Sequence, residues 1–283
     1  MAENYSFEYF TVQFPTDRQY VAHVEINRPE RLNAFIEVMW ENMAQIFNKL
    51  SSDPAVRAIV LSGAGAKAFT AGLDVKAASE GLLSSDSDAK IDPARKAVAF
   101  RRHITAFQDC ITAVEHCEKP VVVALHGFSL GLAIDLATAT DVRLCARDAR
   151  FGVKEVDIGL AADIGTLSRL PKVVGNFGWV KEVALTAREF GAEEALRVGF
   201  VNAVYDTREA TIAAAFKLAS LMASKSPVAV QGTKEILNYS RDHSVQDGLR
   251  YTSVWNSAAL QTQDVSAALM SGLQKRTPTF EKL

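Results

Sequence analysis

The 283-residue chain is poor in several features, and each shortage narrows its chemistry. It has only three cysteines, Cys110, Cys117 and Cys145. Their number is odd and they lack C-x-x-C spacing, so they cannot all pair within the chain and read as reduced thiols of an intracellular protein. The five histidines are scattered, with no H-x-x-x-H or H-E-x-x-H, so a metal site has little support. No apolar run reaches the roughly 18 residues of a membrane span. A net charge of −2 without a long basic run gives no electrostatic footing for nucleic acid. The opening Met1-Ala-Glu-Asn-Tyr5 has no basic flank and no apolar core, so no secretory leader is expected. No internal repeat is visible. The balance of 48% hydrophobic to 23% charged residues is that of a globular chain with ample surface to bury, in one large domain or two small ones.

Val21–Ile26 alternates apolar and polar residues and ends at the turn Asn27-Arg28-Pro29, which predicts a strand. From Ile36 onward Met39, Trp40, Met43, Ile46, Phe47 and Leu50 recur at helical spacing. Ala58–Leu61 predicts a short buried strand, residues 84–95 a polar loop, and Phe100, Ile104, Phe107, Ile111 and Val114 a long amphipathic helix. Strands follow at 121–125, 141–145 and 200–204, with helices at 131–139, 177–187 and 192–198. This alternation predicts an α/β core over residues 1–206. Residues 207–283 read as a helical C-terminal region, with Ser226 as an N-cap and Pro227 at a first helical position.

Two glycine-containing turns could carry chemistry. Phe69-Thr-Ala-Gly-Leu-Asp74 precedes a possible helix start, and His126-Gly-Phe-Ser-Leu-Gly-Leu-Ala-Ile-Asp135 follows the strand at 121–125. Such turns free backbone N–H groups, and two of them aimed at one oxygen make an oxyanion hole. The same residues also read as ordinary strand-to-helix turns, with Asp74 as a cap. Asp135, between Ile134 and Leu136, is an acid in an apolar run and should resist ionisation. Glu155 and Asp163 follow, Asp163 again among apolar neighbours. Acids so placed suit proton transfer near neutral pH. Each has a structural alternative: a hydrogen-bonded core acid for Asp135, a partner for Lys154 or Arg150 for Glu155, and an N-cap before Ile164–Leu170 for Asp163. Asp141 and Asp157 read as structural.

Glu25-Ile-Asn-Arg-Pro-Glu-Arg-Leu-Asn-Ala34 and the two glycine loops, in this order and spacing, resemble the enoyl-CoA hydratase/isomerase (crotonase) superfamily. The resemblance runs from about residue 20 to the C-terminus. Residues 151–171, Ser226–Lys234, Tyr239–Val245 and Leu260–Asp264 are similar to its dienoyl-CoA isomerase branch. The implied fold is a crotonase-like spiral of ββα units with C-terminal helices that assemble trimers, often paired into hexamers. The implied activity is conversion of 3,5-dienoyl-CoA to 2,4-dienoyl-CoA in fatty acid β-oxidation, by proton transfer from C2 to C6. No cofactor is implied, because CoA is part of the substrate, and neither metal, nucleic acid nor membrane is implied as a partner.

By the resemblance, the backbone N–H groups of Leu73 and Leu132 hold the thioester oxygen. Asp135 matches the first active-site acid, where hydratases carry Glu, Glu155 the second, and Asp163 the acid that marks the isomerase branch. Glu155 is assigned to C2, Asp163 to C6, and Asp135 to tuning both. Ala71, Gly72, Leu73, Asp74, Val75, Lys76, Leu132 and Ala133 are expected to line the acyl-CoA site. Gly131-Leu132-Ala133 departs from the family's usual three glycines, and the Leu132 side chain is expected to narrow the acyl pocket. The ending Glu281-Lys282-Leu283 differs from the peroxisomal address S-K-L at one position, so a peroxisomal location is expected, with cytoplasm or mitochondrion as alternatives. Rival readings are enoyl-CoA hydration or Δ3,Δ2-enoyl-CoA isomerisation, including in a biosynthetic pathway. A non-catalytic acyl-CoA-binding or assembly protein on the same fold is the rival of another class.

Overall fold

The computed structural model describes residues 5–80 and 92–283. In chain order the first elements are β1 (Phe10–Gln13), β2 (Val21–Ile26), α1 (Glu37–Ser52), β3 (Ala58–Gly63), β4 (Ala68–Thr70) and α2 (Val75–Glu80). Next come α3 (Pro93–His116), β5 (Val121–Leu125), β6 (Phe128–Leu130), α4 (Leu132–Ala139), β7 (Val142–Ala146) and β8 (Arg150–Gly152). Then follow α5 (Thr166–Val173), α6 (Phe177–Thr186), β9 (Phe190–Gly191), α7 (Ala192–Arg197) and β10 (Ala203–Tyr205). The chain finishes with α8 (Arg208–Ala223), α9 (Pro227–Arg241), α10 (Val245–Ala259) and α11 (Gln263–Leu273).

The larger sheet runs β1-β2-β3-β5-β7-β10, parallel except for the antiparallel β1. Its central strands are near-continuous apolar runs because both faces are covered, as parallel sheets require. One face carries Val24, Leu61 and Val123 into the main core, where α1 contributes Met39, Met43, Ile46, Phe47 and Leu50. The other face, with Val21, Val60, Val122 and Leu144, meets Ala215, Ala219 and Ala223 of α8. That i, i+4, i+8 stripe of alanines gives the helix a flat apolar side on the sheet.

The smaller sheet runs β4-β6-β8-β9 and positions the site. β4, β6 and β8 are parallel, so their carboxyl ends lie on one side. The segments leaving those ends are Ala71–Asp74, Gly131–Asp135 and the turn that begins at Glu155. In open parallel sheets this is the side on which ligands bind.

Several boundaries differ from the sequence reading for physical reasons. The expected loop 84–95 ends earlier: residues 84–91 lie outside the described residues, Asp92 caps α3 by accepting the N–H groups of Ala94 and Arg95, and Pro93 opens the helix. The last strand is Ala203–Tyr205 rather than 200–204, because Phe200 and Val201 are core residues ahead of the pairing with β7. Ser226 does cap α9, accepting the N–H of Ala229. Cys110, Cys117 and Cys145 are free thiols, the last two buried. Among the described residues no helix is long and apolar enough to cross a membrane.

Candidate active site

Asn33 anchors the first loop. Its backbone is left-handed (φ +56°), a conformation asparagine tolerates better than most residues. Its buried amide donates to the carbonyls of Ala64 and Ala68, both at 2.9 Å, and accepts from the N–H of Arg28 at 2.8 Å. Thr70 Oγ1 donates to the Asn33 carbonyl at 2.7 Å and accepts the N–H of Gly72 at 3.1 Å. Arg28 in turn binds Asp74 at 2.8 Å, and that guanidinium holds the Asp74 carboxyl below its ordinary pKa. Asp74 also accepts the N–H of Ala77 in the first turn of α2.

Phe35 and Leu73 form a parallel bridge, with Phe35 donating to the Gly72 carbonyl at 2.8 Å and accepting from Asp74 at 2.9 Å. In this pattern the N–H of Leu73 itself faces away from Phe35. The second loop approaches from there. A Cβ on Gly72 would stand 3.1 Å from the Leu130 carbonyl oxygen and 3.8 Å from the Leu132 nitrogen, so only a residue without a side chain lets the two backbones meet. Gly131, at φ +52°, donates to the Gly152 carbonyl and turns the chain into α4. Leu132 opens that helix, so its N–H has no carbonyl partner one turn back.

These loops border a cavity of about 640 Å³. Its apolar wall includes Phe35, Trp40, Phe100, Ile104, Phe107, Leu160 and Ile164, and its polar groups include Asp74, His103, Glu155 and Asp163. Trp40 stacks on Phe107 at 4.0 Å, giving that wall a flat aromatic stretch.

The three acids occupy different environments. Glu155 opens a 3-10 turn at the end of β8 that Gly159 closes in the left-handed region (φ +82°). Its Oε1 lies 3.5 Å from where a Cβ on Gly131 would be, beside the second loop, and its Oε2 is buried without a hydrogen-bond partner among the described residues. Burial pushes the Glu155 carboxyl above its usual pKa; backbone hydrogen bonds at Glu155 and Lys154 oppose the rise, and the nearby Asp163 charge adds a smaller push. Asp163 is exposed, lines the same cavity, and its carbonyl accepts Gln108 Nε2 of α3 at 2.6 Å. Asp135 does not line the cavity. It is fully buried in α4, where Oδ1 accepts the N–H of Thr166 at 2.5 Å and Oδ2 has no partner among the described residues. Burial raises its pKa to about 7, Thr166 opposes the rise and the Glu155 charge adds to it. Unpaired buried carboxylate oxygens are uncommon, and here one belongs to an acid on the cavity wall and the other to an acid behind it.

The structural alternatives divide differently. Asp163 is not an N-cap: α5 begins at Thr166 behind Gly165, and Asp135 binds its first N–H from a neighbouring helix. Glu155 is not a partner of Lys154 or Arg150, which pair with Asp157 and Glu189. Asp135 is a hydrogen-bonded core acid and also stands behind the site wall. Ala71, Gly72, Leu73, Asp74, Val75 and Leu132 line the cavity. Lys76, on the exposed side of α2, and Ala133, packed in the core, do not. The aromatic wall from α1 and α3 was not among the expected site residues. Its spacing in the sequence signals an amphipathic helix, and nothing there separates a core face from a cavity face.

The geometry is that of a cavity with carboxyl groups on its wall and backbone N–H groups at its edge. The family described as enoyl-CoA hydratase/isomerase matches residues 16–282, and the chain belongs to that family. It is 46% identical to the mitochondrial Delta(3,5)-Delta(2,4)-dienoyl-CoA isomerase of Homo sapiens, over 100% of this chain and 85% of that one. It is 41% identical to the peroxisomal Delta(3,5)-Delta(2,4)-dienoyl-CoA isomerase of Arabidopsis thaliana, over 93% of each. The solved enoyl-CoA hydratase of Bacillus anthracis superposes with a TM-score of 0.85 at 26% identity, over 97% of this chain and 99% of that one. These neighbours bear out the crotonase-like fold.

Proposed function

We propose that this protein is a dienoyl-CoA isomerase that moves 3,5-dienoyl-CoA to 2,4-dienoyl-CoA in fatty acid β-oxidation. The observation that carries the reading is a single cavity lined by Glu155 and Asp163 together, next to the loops that hold Leu73 and Leu132. Full-length similarity to relatives named for this reaction supports it.

The thioester makes the C2 hydrogen weakly acidic, and enolate formation is the costly step. The N–H groups of Leu73 and Leu132 stabilise the developing oxyanion; one such donor is typically worth about 10²–10³ in rate. Glu155 takes the C2 proton. Its buried position makes the carboxylate a stronger base once charged. The resulting charge spreads over the conjugated chain to C6, where Asp163, protonated at the start of the step, delivers a proton; after product release Glu155 loses the C2 proton to water and the exposed Asp163 regains one from it. Asp135 contacts neither the cavity nor the reacting carbons; the Glu155 charge opposes its ionisation, and because such repulsion is mutual, a charged Asp135 tunes Glu155 in return. Both transfers use side chains alone, so no cofactor or metal is required beyond the CoA of the substrate. The apolar aromatic wall suits an acyl chain, with Leu132 narrowing the space beside the thioester.

The exposed Leu249 and Val254 on α10, Leu260 just after it, and Leu269 and Leu273 on α11 suit burial in a homotrimer, or a hexamer of two trimers. A peroxisomal setting is proposed, in line with the compartment named for the Arabidopsis relative. The test of function is Asp163→Asn. It is expected to abolish the rise in ultraviolet absorbance as the conjugated 2,4-dienoyl thioester forms, while CoA-ester binding persists. Unchanged turnover in a folded variant removes the mechanism.

A further inference from the structure

Behind Asp135 lies a buried charge network that the reaction as described leaves unused. Arg169 belongs to the first turn of α5, where the helix dipole favours anions over cations, so its place there does not serve helix stability. Its side chain turns back toward the helix start. A Cβ on Gly165 would lie 2.2 Å from Arg169 Nη1 and 3.6 Å from Asp135 Oδ1, so the guanidinium and the carboxylate share the space that this glycine leaves open. Gly165 has φ +149°, a further reason for glycine.

The other side of the guanidinium is clamped. Arg169 Nε and Nη2 donate to Glu115 Oε2 at 2.9 and 2.8 Å, and Nη2 also donates to Thr112 Oγ1 at 2.9 Å. The second Glu115 oxygen binds Arg241 at the end of α9. Arg241 and Lys172 then share Asp242 at the surface. Three cations, Arg169, Arg241 and Lys172, thus face two anions, Glu115 and Asp242, and a charged Asp135 supplies the third. Glu115 responds as such a network demands: burial would raise its pKa, but Arg169 and Arg241 outweigh that and hold it below the ordinary value.

We propose that Arg169 is a positioning residue: clamped by Glu115 and Thr112, it fixes the first turn of α5 against Asp135 and favours the charged form of that carboxylate beside Glu155. The inference rests on the reading above, in which Asp135 tunes Glu155. The groups facing Asp135 are few. Thr166 favours its ionisation most and Arg169 adds to that, Glu155 at the end of β8 opposes it, and α3 presents Glu115 behind Arg169. β4 and β6 contain no charged residue, and Arg150 of β8 pairs outward with Glu189.

The test is the pH profile of kcat/KM for 3,5-dienoyl-CoA, from about pH 5.5 to 9, in wild type, Arg169→Met, Arg169→Lys and Glu115→Gln. The wild type should lose activity as pH falls through about 7, the value to which burial drives Asp135. Arg169→Met should move this acid limb up by about one pH unit, with KM changed less than about two-fold. Arg169→Lys should return the limb toward wild type. Glu115→Gln removes an anion and keeps Thr112 as an anchor, so it should move the limb down, and it decides the matter if Arg169→Met does not fold. A folded Arg169→Met with an unmoved limb, a lysine variant no better than methionine, or an unmoved limb in Glu115→Gln overturns the proposal. A wild type that does not isomerise the dienoyl ester defeats the functional reading instead, and this proposal with it.

Discussion

Gly72→Ala should separate the two loops that are proposed to hold the thioester oxygen. The added methyl group would meet the Leu130 carbonyl oxygen at 3.1 Å, tighter than nearly all such contacts, so one loop must yield by a few tenths of an ångström. The backbone at φ +99° adds strain, because an L side chain there costs roughly 1–3 kcal/mol. That loss should lower the thermal midpoint by roughly 2–12 °C, at about 2–4 °C per kcal/mol for a chain of this class. The larger effect should be catalytic. The crowded Leu130 carbonyl lies two residues before Leu132, so a second loop that yields there carries the Leu132 N–H with it, and loss of one oxyanion donor typically costs about 10²–10³ in kcat, or about 2.7–4 kcal/mol. Stopped-flow ultraviolet absorbance of the 2,4-dienoyl product, at saturating substrate, reads kcat directly. A folded Gly72→Ala enzyme with kcat within about three-fold of wild type refutes the idea that these loops form the oxyanion site.

Other substitutions probe the frame. Asn33→Ala leaves the carbonyls of Ala64 and Ala68 and the N–H of Arg28 without their partners, and should cost about 2–4 kcal/mol in urea unfolding. Asp135→Asn should alter stability in a pH-dependent way. The folded carboxyl, raised to about 7, holds a proton that the unfolded chain releases near its ordinary pKa, so wild-type stability falls as pH rises from about 4 to about 7. The amide removes that slope, and the Asn variant's gain in melting temperature over wild type should be larger at pH 8 than at pH 4. An equal difference at both pH values contradicts the burial argument.

Periodicity revealed the long elements because burial on one face or both writes itself into five or more consecutive positions. β2, α1, β3, α3 and β5 are of that kind. The smaller sheet escaped that reading: β4, β6, β8 and β9 are two or three residues long, too short to show a period. Its existence follows from pairings between segments distant in sequence, such as Phe128 with Arg150. The acids were legible as acids in apolar surroundings, but their depths were not. Ile134 and Leu136 flank Asp135 as Ala162 and Ile164 flank Asp163, yet the first is fully buried and the second is exposed. The difference comes from α5, which covers Asp135 and offers it the Thr166 N–H. Arg169 carried no local signal at all, because its partners Glu115 and Asp135 come from α3 and α4.

In the proposed reaction one proton leaves C2 and another arrives at C6 through two acids on one cavity. Turnover of a 3,5-dienoyl-CoA in deuterium oxide, followed by NMR and mass analysis of the product, tests it directly. The expected product is a 2,4-dienoyl-CoA with one deuterium at C6 and no added oxygen. Deuterium at C4, or a product heavier by the elements of water, contradicts it.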